Sequence, residues 1–101
     1  MANGGKKPRT LEEACGRIIV HHRDRLGLSQ MDLAVATGYS LRYVGDVERG
    51  TKSATLRTMN DMATLFDIPV SALIREAEAL SMSKKRESTT PLPGQRRSLK
   101  R

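Results

Sequence analysis

The sequence predicts an all-α fold, a compact bundle of about five helices with flexible basic tails. Apolar residues recur at a spacing of three or four in successive segments, and Ser, Thr or Gly marks the ends of these segments. The chain of 101 residues has room for one small domain. With no Trp, one Phe and two Tyr, its interior must be filled by aliphatic and Met side chains.

The first helix is predicted from Thr10 to about Arg25, because Thr10 and Glu13 have the spacing of a capping box. Gly27 is expected to end the helix. The predicted inner stripe of this helix is formed by Cys15, Ile18, Ile19 and His22.

The segment from 30 to 49 predicts two short helices joined by a glycine turn. Ser29 is expected to cap helix 2, with Asp32 in its first turn. Helix 3 spans 41–49, with Ser40 as its cap, and stops at Gly50. The residues expected to face inward from this pair are Leu33, Ala34, Val44 and Val47. This shape places a helix in the major groove of DNA, although an ordinary helical hairpin with a solvated outer face has the same spacing.

Helix 4 is expected to begin at Thr55 or Ser53, and the Asp67–Pro69 segment to separate it from a fifth helix that reaches about Leu80. Residues 10–81 therefore form the predicted domain. Residues 1–9 and 82–101 are predicted to be disordered basic tails, because they hold too few hydrophobic residues to offset the entropy of ordering.

The net charge of +7 lies in the tails. Residues 1–9 carry +3 and residues 82–101 carry +6, whereas residues 10–81 carry −2. Within the middle segment, basic residues cluster between Arg42 and Arg57, and acidic residues crowd elsewhere. This separation is typical of a domain with one side facing DNA.

Three stretches resemble the phage-repressor/Cro-type (XRE-like) helix-turn-helix family. They are GRIIVHHRDRLGLSQMDLA, GYSLRYVGDVERG and ATLRTMNDMATLFDIPVSALI, within a match from about Cys15 to Ile74. The resemblance implies a lambda-repressor-like DNA-binding domain that usually acts as a dimer on a palindromic site. It also implies an ion pair between Arg23 and Glu48, because these residues occupy the positions that pair in the family.

Helix 3 and its flanks supply the predicted DNA contacts. Gln30 opens helix 2, where the family uses a side-chain amide to bind a phosphate or a base. The planar guanidinium of Arg42 matches O6 and N7 of guanine. Leu41 and Tyr43 either contact DNA or pack against the protein. Asp46 either accepts from a cytosine amino group or orients Arg42. The complete predicted set is Gln30, Ser40, Leu41, Arg42, Tyr43, Asp46, Arg49, Lys52, Ser53, Thr55 and Arg57.

Other classes of protein are disfavoured. Cys15, His21 and His22 suit neither a zinc site nor a catalytic one, so no catalytic residue, metal or cofactor is expected. With one cysteine and no long apolar run, the protein is expected to be cytoplasmic and not to enter a membrane. A homodimer is expected through the apolar side of helix 5, formed by Leu73, Ile74, Ala77 and Leu80.

Two rival interpretations stay open. One is a protein-binding module on the same fold, an anti-activator or antitoxin that docks a protein partner; the acidic middle segment, Gly45 and Asp46 favour it. The other leaves most nucleic-acid binding to the tails, without sequence preference, while the domain dimerises.

Overall fold

The computed structural model describes residues 7–82, and this part of the chain forms five α-helices and contains no strand. The helices are α1 (Leu11–Arg25), α2 (Gln30–Thr37), α3 (Leu41–Arg49), α4 (Leu56–Leu65) and α5 (Val70–Met82). The all-α prediction is therefore confirmed. The predicted tails, 1–9 and 82–101, lie outside the described residues except for 7–9 and 82.

The first four helices each begin with a hydroxyl cap, as the sequence predicts for α1 to α3. The oxygen of the cap accepts a hydrogen bond from the backbone N–H three residues later. These caps are Thr10, Ser29, Ser40 and Thr55. At Ser29 the box is complete, because the Asp32 carboxylate accepts from the Ser29 N–H at 2.8 Å. At Thr10 it is not, because the Glu13 carboxylate accepts from the N–H of Arg9 instead.

The turn between α2 and α3 depends on Gly38. Its φ of 84° lies in the left-handed region, which glycine adopts without steric cost. The N–H of Gly38 donates to the Ala34 carbonyl at 2.9 Å, which closes α2, and Ser40 starts α3 two residues later. The predicted glycine turn is confirmed.

The core lies where α1 packs against α3 and α5, with α2 and α4 closing the other sides. The predicted inner residues of α2 and α3 belong to it, and α4 with its end contributes Met59, Met62, Ala63 and Phe66. The inner stripe predicted for α1 is only partly correct. Ile19 and His22 are buried, Cys15 and Ile18 are half-buried, and Gly16 is a buried position that the prediction missed.

The dimer surface predicted on α5 is wrong for two of its four residues. Leu73 and Ala77 have no exposed surface, because the core of their own chain covers them. Ile74 and Leu80 are half-buried. The apolar side of α5 is therefore used largely within the chain, where α1 and α4 pack against the helix.

A histidine strengthens the contact between α1 and α5. His22 Nε2 lies 2.7 Å from the Glu76 carboxylate, and Arg25 donates to His22 Nδ1 at 3.0 Å. The ring also stacks on Phe66 at a centroid distance of 5.3 Å. His22 is therefore a packed helix histidine with both ring nitrogens engaged.

Within residues 7–82, no helix is long and apolar enough to cross a membrane.

Candidate nucleic-acid interface

The outer face of α3 is open to solvent. Val44 and Val47 are buried in the core, which turns the opposite side of the helix outward. On that side the Arg42 side chain is 87% exposed and Leu41 is 43% exposed. Both residues therefore lie where a ligand can reach them, near the start of the helix.

A buried carboxylate fixes α3 to the rest of the fold. The Glu48 side chain is only 4% exposed and accepts hydrogen bonds from Arg23 Nε at 2.7 Å and Arg23 Nη2 at 3.1 Å. Arg23 Nη1 also donates to the Leu28 carbonyl at 2.9 Å. The bond to Glu48 raises the pKa of Arg23. Residues from α1, the α1–α2 loop and α3 are thus held by one guanidinium.

Gln30 joins the same network, which the sequence did not indicate. Its Nε2 donates to Glu48 Oε1 at 2.7 Å, so the amide is oriented before any ligand is present. An amide nitrogen carries a second hydrogen, and the amide oxygen is an acceptor. The bond therefore positions Gln30 at the start of α2 without exhausting its hydrogen-bonding groups.

Asp46 lies between two arginines of α3. Arg49 Nη2 donates to its carboxylate at 2.6 Å, whereas Arg42 Nε is 3.9 Å away. The hydrogen bond from Arg49 is the main reason that the pKa of Asp46 is lowered. Of the two roles that the sequence left open, orienting an arginine fits this geometry. The arginine held closely is Arg49, however, and not Arg42.

Tyr43 packs inward rather than projecting freely from α3. Its hydroxyl lies 3.1 Å from the hydroxyl of the buried Thr58 on α4, and its ring lies 5.3 Å from that of Tyr39. Tyr39 in turn donates to Asp61 at 2.6 Å, which raises the pKa of Tyr39. This polar cluster ties α3 and the preceding turn to α4.

The loop after α3 carries exposed cations and engaged hydroxyls. Lys52 and Arg57 are exposed. The Ser53 hydroxyl donates to Glu12 of α1 at 3.3 Å, and the Thr55 hydroxyl caps α4. The two cations are therefore better placed for a phosphate than the two hydroxyls, which already have partners.

Several residues that support this surface were not predicted from the sequence. Thr58 follows the cap Thr55 by three residues, a spacing that places the two hydroxyls 3.0 Å apart. Thr51 donates from its backbone N–H to the Asp46 carbonyl at 3.0 Å, just beyond the end of α3. Cap spacing could have indicated Thr58. The pairing of Tyr39 with Asp61 has no local signal, because 22 residues separate them.

Cys15 of α1 has the environment of a structural residue. Burial and the nearby Glu12 raise the pKa of the Cys15 thiol, the opposite of the shift that activates a thiolate nucleophile. Among residues 7–82, no group of three or more His, Cys, Asp or Glu is arranged to hold a metal ion.

Solved structures of bacterial regulators resemble this fold. The clp gene regulator ClgR from C. glutamicum superposes with a TM-score of 0.66 at 26% identity, over 72% of this chain and 94% of that one. The restriction-modification controller protein C.AhdI from Aeromonas hydrophila gives a TM-score of 0.59 at 35% identity, over 61% of this chain and 94% of that one. No curated protein matches the sequence significantly.

A helix-turn-helix family model matches residues 22–73, which include α2, α3 and the buried Arg23–Glu48 pair. The match covers just over half of the chain, and the two solved structures carry the same fold. The chain therefore belongs to the phage-repressor/Cro-type (XRE-like) helix-turn-helix family of DNA-binding transcriptional regulators.

Proposed function

We propose that the protein is a sequence-specific transcriptional regulator that occupies a palindromic or pseudo-palindromic operator, with α3 as the recognition helix. The observation that carries this proposal is the open face of α3, where Arg42 is 87% exposed while Val44 and Val47 anchor the opposite side. A rigid helix with one free basic face has the shape and charge that the major groove accepts.

Arg42 is the proposed base-reading residue. It follows the Ser40 cap by two residues, so its side chain extends from the end of the helix that enters the groove first. A guanidinium fork matches O6 and N7 of guanine. Leu41, beside it and 43% exposed, is placed to contact a thymine methyl group.

Phosphate contacts are proposed on both sides of the groove. Gln30 starts α2, where unpaired backbone N–H groups attract phosphate oxygens, and Glu48 holds its amide in place. Lys52 and Arg57 extend from the loop and helix that follow α3. The Ser40 oxygen accepts from the Tyr43 N–H, so its hydroxyl hydrogen is left to donate to a phosphate. Ser53 and Thr55 contribute through backbone N–H groups, because their hydroxyls already have partners.

Two copies are proposed to bind one operator, with their recognition helices one turn of DNA apart. Because Leu73 and Ala77 are buried, we expect the contact between copies to use the half-buried apolar residues of α5 and the exposed apolar residues beside them. Leu11 and Leu56 are exposed and border a shallow apolar groove with the half-buried Ile74.

The protein-docking alternative is supported less by the structure. One of the features that favour it is Asp46, an acidic residue on the face that would meet DNA. Since Arg49 neutralises this carboxylate at 2.6 Å and the Asp46 side chain is only 14% exposed, the α3 face does not present a free anion.

The proposal is tested by comparing Arg42→Ala with Lys52→Ala on operator variants, using fluorescence anisotropy at several salt concentrations. Arg42→Ala should lower discrimination at one base pair by about tenfold. Lys52→Ala should weaken binding equally on all sequences and reduce the salt slope by about 1. Unchanged discrimination in Arg42→Ala would contradict the proposed role of α3.

A further inference from the structure

Arg49 belongs to the last turn of α3, but its guanidinium lies over the middle of the helix. A Cβ built on Gly45 would be 3.1 Å from Arg49 Nη1, 3.5 Å from Nη2 and 3.7 Å from Cζ. Helical side chains lean toward the N-terminus, so a residue four positions later covers this site. The missing side chain at Gly45 leaves the space in which the guanidinium lies, and Gly45 is buried as a result.

Asp46 holds the guanidinium in this position. Its carboxylate accepts from Arg49 Nη2 at 2.6 Å and from the Thr51 hydroxyl at 3.4 Å. The Asp46 side chain is 14% exposed, whereas that of Arg49 is 61% exposed. The carboxylate is thus covered and restrained, and much of the guanidinium that it holds faces solvent.

The two arginines share one face of the helix. Arg42 and Arg49 are seven residues apart, which is about two turns. Because Arg49 folds back over Gly45, its charged group lies only about one turn beyond Arg42. The outer face of α3 therefore presents two guanidinium groups in sequence along the helix, with Asp46 between them.

We propose that Asp46 is a positioning residue that presents Arg49 as a second guanine-reading side chain in the middle of the recognition helix. This inference rests on the proposed function of α3. A guanidinium held at one edge keeps donors on its other edge for O6 and N7 of guanine. The carboxylate also cancels one positive charge of the α3 face, so it lowers affinity for every sequence while it favours the correct one.

This arrangement assigns Arg49 a different role from the phosphate contact that a basic residue at the end of the helix would make. A phosphate-binding arginine gives affinity without sequence preference. An arginine fixed by Asp46 gives preference at one base pair. Loss of a phosphate-binding Arg49 would therefore lower affinity for all sequences, whereas loss of a base-reading Arg49 would remove the preference at one base pair.

The experiment is selection from random duplexes with the full-length wild-type protein, Asp46→Asn and Arg49→Ala, followed by titration of selected and scrambled duplexes. Asp46→Asn should reduce preference for one guanine by about tenfold, at a base pair different from the one that Arg42→Ala affects. It should also bind scrambled DNA more tightly, with a salt slope steeper by up to about 1. Arg49→Ala should abolish the same guanine preference.

Asp46→Glu and Asp67→Asn serve as controls. Asp46→Glu keeps the carboxylate and should restore part of the preference that Asp46→Asn loses. Asp67→Asn removes one negative charge from an exposed position between α4 and α5, where asparagine tolerates the left-handed backbone, and it should leave the preferred sequence unchanged.

Two results would overturn this inference and leave the proposed function intact. One is a wild-type preference that Asp46→Asn leaves intact at every position, and the other is an Arg49→Ala variant that weakens all duplexes equally. A wild-type protein with no preferred sequence would overturn the proposed function and this inference together.

Discussion

At the scale of single residues, Glu48 connects three parts of the fold. Its carboxylate accepts from Arg23 of α1 and from Gln30 of α2, although Glu48 itself lies in α3. A buried ion pair gives little net stability compared with apolar packing, but removal of one partner leaves a buried charge. The pair therefore matters chiefly because it fixes α3 and Gln30 relative to α1.

Glu48→Ala should destabilise the protein strongly. Arg23, whose side chain is 14% exposed, would keep its charge without its main partner. The free energy of unfolding should fall by about 3 kcal/mol, measured by urea denaturation.

Asp24→Ala is the matched control, because Asp24 pairs with the same Arg23 at 3.6 Å but is 69% exposed. This surface pair should contribute less than about 1 kcal/mol. Equal destabilisation in the two variants would show that burial of the Glu48 carboxylate has no energetic consequence.

The resemblance to a family predicted the Arg23–Glu48 pair from sequence, but nothing local predicted that Gln30 joins it. Such an ion pair can be predicted because both of its residues stand at fixed positions of the family's motif. The third partner depends on how closely α2 approaches α3, which a sequence pattern does not specify. For the same reason, the sequence predicted that Asp46 could orient an arginine but indicated Arg42, whereas the structure places Arg49 closer.

At the scale of helices, two glycines have opposite structural roles. Gly16 lies where α1 meets the end of α3, and a Cβ there would be 2.5 Å from the Val47 carbonyl oxygen. Gly45 lies on the outer face of α3, under the side chain of Arg49. One glycine permits two backbones to approach each other, whereas the other only makes room for a side chain.

Gly16→Ala should therefore lower the free energy of unfolding by about 2 to 3 kcal/mol, because α1 and α3 must separate. Gly45→Ala should raise it by up to about 1 kcal/mol, since alanine favours the helix and the 61% exposed Arg49 can shift. Thermal denaturation of the two variants measures both effects. A large destabilisation by Gly45→Ala would contradict the view that the Arg49 guanidinium can shift by a few tenths of an ångström while Asp46 still holds it.

The helix ends were predictable because they depend on local chemistry. Hydroxyl caps and turn glycines act within three or four residues, so the sequence locates them within a residue or two. The element that packs against an apolar stripe, in contrast, can be distant in the sequence and is not predicted by a local pattern. The stripe on α5 was correctly identified, yet its assignment to a dimer surface was wrong for Leu73 and Ala77, because α1 and α4 already pack against the helix.

At the scale of the whole molecule, the distribution of charge predicts two kinds of DNA contact. Residues 10–81 carry a net charge of −2, so we expect specific contacts to depend on a few placed cations such as Arg42. Residues 82–101 carry +6, which attracts phosphates regardless of sequence.

Truncation after Met82, which keeps all of α5, should weaken binding to every duplex and leave the preferred sequence unchanged. The salt slope should become shallower by about 0.9 for each phosphate that the tail no longer neutralises. Anisotropy titrations of the truncated and full-length proteins at several salt concentrations measure both quantities. If truncation abolished sequence preference while Arg42→Ala preserved it, the tails and not α3 would be the binding element.

The most direct test of the central claim, that α3 reads DNA, is selection of random duplexes by the full-length protein. We expect an enriched motif with two related half-sites whose centres are about 10 base pairs apart, and a guanine in each half-site that Arg42→Ala no longer selects. Recovery of no enriched sequence, or of one that Arg42→Ala selects equally well, would contradict the account.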